Sequence, residues 1–221
     1  MRRSDFDLPA GIARGFVLVA ALAACACASK LARTPETFTI DPPPPRPAPA
    51  ATANRILSLR GVEVAPTYAG SEMVYRVGEH GIERDPYASL AAPPSQLLTA
   101  AIRGYLRDSD YVRDVVAQGE GLPVDATLEP ALLELSGDFS NPAEPVAVLT
   151  LRIRVLAGPS GAAPEREILL KTYTRRIPLS QRTAVAVVAA WNRALGEIMA
   201  EFLADMKPVL PPPREAPGNP G

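Results

Sequence analysis

The distribution of proline is the feature that most limits which parts of this chain can form helices and sheets. Of its 25 prolines, seven lie between Pro35 and Pro49 and six between Pro208 and Pro220. Proline fixes φ and has no backbone N–H donor, and runs of it favour polyproline II or irregular structure. The distribution predicts one folded body at residues 55–207, with a proline-rich segment on either side.

Charge and composition exclude several classes of protein. The chain has 23 Lys and Arg against 24 Asp and Glu, which gives a formal net charge of -1, and it has one histidine and two cysteines. Phosphate binding needs a cationic surface, so we expect no nucleic-acid partner. One histidine and two cysteines cannot form a Cys₄ or Cys₂His₂ zinc site. We therefore predict no metal and no cofactor.

The first 24 residues are predicted to be a signal peptide. Arginines precede an uncharged apolar run at 15–24, which is too short to span a bilayer as a helix. The run ends in Leu22-Ala23-Ala24-Cys25, a sequence typical of a bacterial lipobox. Cys25 is therefore the predicted lipidation site, where acyl chains such as palmitate would anchor the chain to a membrane.

Two alternatives remain for this segment. Cys27 could accept the lipid instead, or an ordinary secretory signal could be cleaved at an Ala-x-Ala site. The residue after Cys25 is Ala26 rather than aspartate, and in this the chain resembles Gram-negative lipoproteins that are exported to the outer membrane. The expected location is the periplasmic face of that membrane.

Residues 25–54 are predicted to be a lipidated N-terminus and spacer. The run at Pro42–Pro45 favours polyproline II and would hold the folded body away from the membrane. Weak alternation at residues 37–40 also allows a short strand. If that strand forms, the prolines are a loop of the domain and not a leash.

The folded body alternates predicted strands and helices. Pro130 interrupts one strand and suggests an edge or a bulge. A helix is expected to begin with Ser95 as its N-cap. Alternating apolar residues and turn residues predict strands at 57–64, 72–77, 82–84, 111–116, 127–135, 146–156 and 167–173.

The last predicted helix is the most regular element. Arg193, Glu197, Glu201 and Asp205 are expected on its solvent face, and Pro208 ends it before a disordered tail at 208–221. The predicted class is α/β (α+β), a single domain with a mixed sheet packed against two main helices. The apolar stripe of the last helix comprises Ala184, Val188, Trp191, Leu195, Ile198, Phe202 and Met206.

No catalytic constellation is present in the sequence. His80 lies between Glu79 and Gly81 in a predicted turn, and nothing nominates a nucleophile or an orienting acid for it. We therefore predict a protein that is not an enzyme. Solvated faces are expected for the paired arginines Arg103, Arg107, Arg175 and Arg176.

Two strands and the turn between them carry a family resemblance. The strand at 57–64, the turn Ala65-Pro66-Thr67-Tyr68 and the strand Met73-Val74-Tyr75-Arg76 are similar to the N-terminal signature of ABC-type transport auxiliary lipoproteins, which include the paraquat-inducible type. A helix, a strand pair and a long C-terminal helix follow in the same order. The family often carries a tryptophan shortly after this segment, where Tyr87 stands here.

The resemblance implies a role beside a mammalian-cell-entry (MCE) protein and an ABC permease with its ATPase, in a system that moves lipids or other hydrophobic molecules. It makes Tyr68, Tyr75 and Arg76 candidate partner contacts, although a packing role in the strand-turn-strand core remains the alternative. A homo-oligomer is also left open. The rival hypotheses are a lipoprotein that assists assembly of an outer-membrane β-barrel or lipopolysaccharide translocon, and a lipid-active hydrolase.

Overall fold

The computed structural model describes residues 34–45, 55–118, 122–157, 165–210 and 212. The chain divides into the units Met1–Thr34 and Pro35–Gly221, and every described element belongs to the second unit. The predicted signal peptide and both cysteines lie outside the described residues. So do residues 25–33 and 46–54 of the predicted spacer and most of the predicted tail.

The described residues form one mixed sheet of nine strands with two helices, which confirms the predicted fold class. A short 3₁₀ turn, Pro66–Tyr68, lies between the third and fourth strands. In chain order the elements are β1 Glu36–Phe38, β2 Arg55–Leu59, β3 Glu63–Val64, β4 Glu72–Val77, β5 Gly81–Leu90, α1 Pro94–Arg107, β6 Val112–Ala117, β7 Ala126–Asp138, β8 Val146–Ala157, β9 Arg166–Pro178 and α2 Ala184–Met206.

Three long antiparallel strands, β7, β8 and β9, form one half of the sheet. Every second residue of β8 from Ala147 to Val155 is buried, whereas Arg152 and Arg154 between them are exposed. Side chains alternate between the two faces of a strand, so one face packs against the core and the other meets solvent. This is the alternation that the sequence predicts.

Pro130 does not lie at an edge, and the prediction that it does is wrong. β7 has neighbours on both sides, and Pro130 falls between Leu128, the last residue paired with β2, and Ala131, the first paired with β3. A residue without an N–H is tolerated there because the parallel pairing is interrupted. The irregularity of β7 occurs further on, between Leu132 and Glu134.

The sheet forks at β7. Along the edge away from β8, β7 pairs in turn with the parallel strands β2, β3 and β4. β6 extends the branch at β2, while β5 and then β1 extend the branch at β4. The predicted single strand at 57–64 is therefore two strands. Residues 60–62 lie opposite only residues 129 and 130, so the chain leaves the ladder around Gly61.

α2 covers one face of the long strands. Its predicted stripe is buried except at Ala184, which is only partly buried. Trp191 is 1% exposed, and its Nε1 donates a hydrogen bond of 3.2 Å to the Ser136 carbonyl oxygen. Thr183 is the N-cap, since its Oγ1 accepts from the Ala186 N–H at 3.3 Å.

α1 packs against β3 and β6. It begins at Pro94 with Pro93 as its N-cap, two positions before the helix start that a Ser95 cap would give. Proline suits the first helical position because its φ is already helical and no donor is needed there. Ser95 lies in the first turn, where its carbonyl oxygen accepts from Thr99 Oγ1 at 2.6 Å.

Residues Asp41–Pro45, here called the strap, pack against the domain. The Asp41 N–H donates to Asn192 Oδ1 at 2.8 Å, and a Cβ added at Gly196 would lie 3.2 Å from Pro43 Cδ. Cavities of about 390 and 370 Å³ border the strap, and Tyr105 of α1 lines both. Because β1 forms and the strap touches α2, residues 36–45 are a loop of the domain and not a leash.

The polar face of α2 is not simply solvated, contrary to expectation. Lys171 Nζ lies 2.9 Å from Glu201 Oε1 and 2.8 Å from Asp205 Oδ2, and Arg175 lies 2.6 Å from Glu201. These hydrogen bonds lower the pKa of both carboxyl groups, with Lys171 contributing most. Tyr173, which is buried, donates to Asp205 at 3.0 Å. The helix is therefore clamped to β9 along this face.

The folded body extends slightly beyond its predicted end at Lys207. Leu210 is 8% exposed and belongs to the core cluster. Neither described helix combines the length and hydrophobicity that a bilayer crossing requires.

Candidate functional site

One face of the long strands has no helix on it in the described part of the chain. We call this surface, opposite α2, the open face. Along each strand its side chains alternate with those buried against α2, and most of them are polar. The open face therefore has no continuous apolar strip. It consists of Glu129, Glu134, Thr150, Arg152, Arg154, Leu170, Thr172, Thr174 and Arg176.

Tyr68 and Arg76 meet at the edge of the open face. Arg76 Nη1 lies 3.4 Å from Glu134 Oε1, which also accepts a hydrogen bond of 3.0 Å from Ser136 Oγ. Burial raises the pKa of Tyr68, and the nearby Glu134 carboxylate raises it further, while Arg76 partly offsets this. We call Tyr68, Arg76 and Glu134 the motif cluster. It presents a neutral phenol hydroxyl beside a half-exposed ion pair.

Tyr75 lies on the opposite face of β4 from Arg76, as strand alternation requires. Its ring stacks on Phe139 with centroids 5.0 Å apart, and its hydroxyl donates to Asp85 Oδ2 at 3.0 Å. Burial, followed by the hydrogen bond to Asp85, raises the pKa of Tyr75. The three predicted site residues therefore do not form one site: Tyr68 and Arg76 share a surface, and Tyr75 packs behind it.

Charged side chains continue along the open face beyond the motif cluster. Glu129 pairs with Arg60 and lies 3.5 Å from Arg154, which in turn lies 3.1 Å from Glu167. Arg60, Glu129 and Arg154 border a cavity of about 250 Å³ that Arg152 also lines. Within the described residues no salt bridge engages Arg152, so a cation faces solvent beside this groove.

The third acid of β7, Asp138, lies at the C-terminal end of the strand. Asp138 accepts hydrogen bonds from Ser140 Oγ and from Arg176 Nη2, the latter at 2.8 Å. Burial opposes ionisation of Asp138, but these hydrogen bonds outweigh it and lower the pKa of the carboxyl group. Arg107 is likewise paired, 3.0 Å from Asp114. Arg107, Arg175 and Arg176 therefore pair within the chain instead of being only solvated, and Arg103 is partly buried.

This arrangement can bind polar surfaces, and we see no reacting group poised within it. His80 is 89% exposed, with Glu79 3.8 Å away. Among the residues that the structure describes, no group of three or more His, Cys, Asp or Glu side chains is placed to hold a metal ion. What the open face offers is arginines, carboxylates and hydroxyls on a rigid sheet.

Reasoning from the sequence missed the acids of β7 and also Asp85. Glu129, Glu134 and Asp138 are the acids of an otherwise largely apolar strand, a pattern that indicates cationic partners. Asp85 precedes Pro86, a dipeptide that favours a turn. Cys25, the predicted lipidation site, lies outside the described residues.

Sequence comparison assigns the chain to a family. The family model described as "ABC-type transport auxiliary lipoprotein component" matches residues 38–202, which include every described strand and helix from β2 to β9 and most of α2. The chain belongs to this family. The motif cluster and Tyr75 all lie within the matched region. No curated protein matched the sequence of this auxiliary lipoprotein family member.

Solved structures share its fold. A crystal structure of protein XCC0632 from Xanthomonas campestris, a DUF330 family protein, is similar with a TM-score of 0.64 and 20% identity, covering 76% of this chain and 92% of that one. A second, described as an uncharacterized protein, has a TM-score of 0.60 and 14% identity, covering 78% of this chain and 99% of that one. At these identities the likeness establishes the fold of the auxiliary lipoprotein and nothing further.

Proposed function

We propose that this auxiliary lipoprotein is the non-enzymatic accessory component of an MCE-type ABC system that transports lipids or other hydrophobic molecules. The observation that carries the proposal is the family match over residues 38–202. The open face supports it, because a rigid sheet with exposed arginines, carboxylates and hydroxyls suits reversible protein contact. The proposed partners are an MCE-domain protein and the ABC permease with its ATPase.

The proposal includes an anchor in the outer membrane on its periplasmic side, through acyl chains on Cys25. The lipobox Leu22-Ala23-Ala24-Cys25 and the following Ala26 support this. A tethered domain reaches a high local concentration at the membrane and needs no active site for that effect. Homo-oligomerisation is compatible with the same role.

Two experiments test the proposal. In the first, the Cys25→Ala variant is followed by palmitate labelling and membrane fractionation, with Cys27→Ala as its matched control. Only the first substitution should abolish labelling and release the protein from outer-membrane fractions. Loss of labelling in Cys27→Ala alone would move the anchor to Cys27.

In the second, the tagged wild-type chain is recovered from native membranes by mild detergent extraction. Co-recovery of the MCE protein and permease is expected. Recovery of a β-barrel assembly or lipopolysaccharide translocon without any MCE component would contradict the proposal and support the rival hypothesis.

A further inference from the structure

The first part of β5 is an unusually exposed strand. β1 pairs with β5 only from Ala88 to Leu90, so the outer edge of residues 81–87 has no neighbouring strand among the described residues. Six of these seven residues are exposed. Ile82 is 48% exposed and Tyr87 47%, although both are large and apolar. Such side chains on an open edge mark a surface suited to a partner.

Tyr87 lies in an irregularity of the pairing between β4 and β5. Val74 pairs with Arg84, whereas Glu72 pairs with Ser89, so four residues of β5 lie opposite one residue of β4. Asp85 holds the extra residues in place: its Oδ1 accepts from the Tyr87 N–H at 2.8 Å and from the Ala88 N–H at 3.1 Å. A carboxylate that binds the backbone N–H two residues on makes an Asx turn.

Tyr75 holds Asp85 in turn. The Tyr75 hydroxyl donates to Asp85 Oδ2, the oxygen that the turn does not use. The ring of Tyr75 is itself confined between Phe139 and Gly137, where an added Cβ would lie 2.9 Å from Tyr75 Cδ1. A chain of contacts thus runs from the core of β7 through Tyr75 and Asp85 to the backbone of Tyr87.

The Tyr87 side chain is not needed for this construction. The turn uses its N–H, and its hydroxyl makes no hydrogen bond within the described part of the chain. The residue is also outside the core cluster. An aromatic side chain on a backbone that is already fixed loses little entropy on binding, and tyrosine is enriched among the residues that dominate protein interfaces.

The hairpin β4–β5 that carries Tyr87 has more exposed acids than exposed arginines. Glu79 and Glu83 are exposed, and the nearest basic group to Glu79 is His80 at 3.8 Å. Glu83 forms no salt bridge among the described residues. Arg84 keeps its positive charge, and its Nη2 donates to the Thr67 carbonyl oxygen at 3.1 Å, which holds the guanidinium against the turn at 66–68. Complementary charge therefore favours a basic partner surface.

We propose that Tyr87 is the aromatic anchor through which this chain docks onto the MCE-domain protein, in an apolar pocket bordered by basic residues, and that Tyr75 and Asp85 are positioning residues for it. The inference rests on the proposed function. It adds the hairpin β4–β5 as the docking element, distinct from the open face.

The test measures binding of the full-length, detergent-solubilised chain to the purified MCE-domain protein by biolayer interferometry. Tyr87→Ala should weaken binding by about 30-fold or more, as for a dominant interface residue, whereas Tyr87→Phe, which keeps the ring, should change it by less than about 5-fold. The control is Val185→Ala, since Val185 is also apolar and 60% exposed but lies on α2. It should bind like the wild type.

Two further variants separate positioning and charge from the anchor itself. Tyr75→Phe removes only the hydroxyl, so it should weaken binding by about 3- to 10-fold and speed amide exchange at Tyr87 and Ala88. Glu83→Gln should slow association and reduce its dependence on salt. Unchanged exchange in Tyr75→Phe would remove Tyr75 from the positioning role.

The outcomes distinguish the docking proposal from the proposed function. If wild-type protein binds the MCE-domain protein and Tyr87→Ala binds equally well, the docking proposal is overturned and the proposed function stands. If wild-type protein does not bind, both are overturned. Sedimentation velocity adds a third outcome: loss of self-association in Tyr87→Ala, with MCE binding unchanged, would make a second copy of the chain the occupant and overturn the proposal.

Discussion

The two faces of the long strands β7–β9 use different chemistry on the same backbone. On the covered face, apolar side chains from alternate positions pack against α2, and Trp191 and Phe202 are almost fully buried. On the open face, Arg154 and Glu129 form ion pairs that remain partly exposed. Burial of apolar area stabilises a fold far more than exposed ion pairs do. Stability should therefore depend on the covered face, and recognition on the surfaces that it leaves free.

The largest loss of stability is expected from a substitution that leaves a cavity on the covered face. Trp191→Ala should destabilise the fold by about 3–5 kcal/mol, because it removes a large buried side chain and leaves the Ser136 carbonyl oxygen without its donor. Urea unfolding followed by far-UV circular dichroism measures this free energy. Trp191→Phe keeps much of the packing and should cost clearly less. A cost of under about 1 kcal/mol for the alanine variant would contradict the proposed division.

The second prediction concerns the strap, which packs on the outer side of α2. It asks whether this contact contributes to the stability of the fold. Gly196→Leu places a side chain where even a Cβ is only 3.2 Å from Pro43 Cδ, so the strap must move, at a cost of about 1–3 kcal/mol. The Asp41 amide, which donates to Asn192, should then exchange faster with solvent. Gly104→Leu on α1 is the matched control because nothing lies within 4 Å of its added Cβ. Equal stability of both variants would show that the strap adds nothing.

The ion pairs that clamp α2 to β9 lie at the rim of the covered face. Their contribution to the free energy of unfolding should decrease at acid pH. The folded-state pKa of Asp205 is lowered, first by the hydrogen bond from Lys171, so the clamp stabilises the fold above the unfolded pKa of about 4 and is lost as pH falls below it. Asp205→Asn should flatten the pH dependence of the unfolding free energy in that range. Glu144→Gln, on an exposed loop, provides the control. An unchanged acid slope in Asp205→Asn would contradict the assignment.

Local periodicity explains which parts of this fold the sequence predicts. The stripe of α2 and the alternation of β8 are properties of single segments, and both are confirmed. The fork is not local, since β2 pairs with β7 residues 69 positions later (Leu57 with Ala126) and β4 with residues 62 positions later (Tyr75 with Gly137). For the same reason the sequence does not predict how Tyr68, Tyr75 and Arg76 lie relative to one another. Only the pairing of β4 shows that Arg76 meets Glu134 while Tyr75 turns to Asp85.

The smallest effect on stability is expected in the motif cluster. It is also the most direct test of whether the open face contributes to recognition and not to the fold. Arg76 is 43% exposed and Glu134 21%, so a double-mutant cycle of Arg76→Ala and Glu134→Gln should give a coupling within about 1 kcal/mol. Arg152→Ala, which removes a cation that makes no salt bridge within the described residues, should leave stability unchanged. If the open face contributes to recognition, the Arg76 and Glu134 variants should still weaken binding to the MCE-domain protein. A coupling above about 2 kcal/mol would instead assign the motif cluster to the fold, because a pair that strong stabilises the branch point where β4 meets β7.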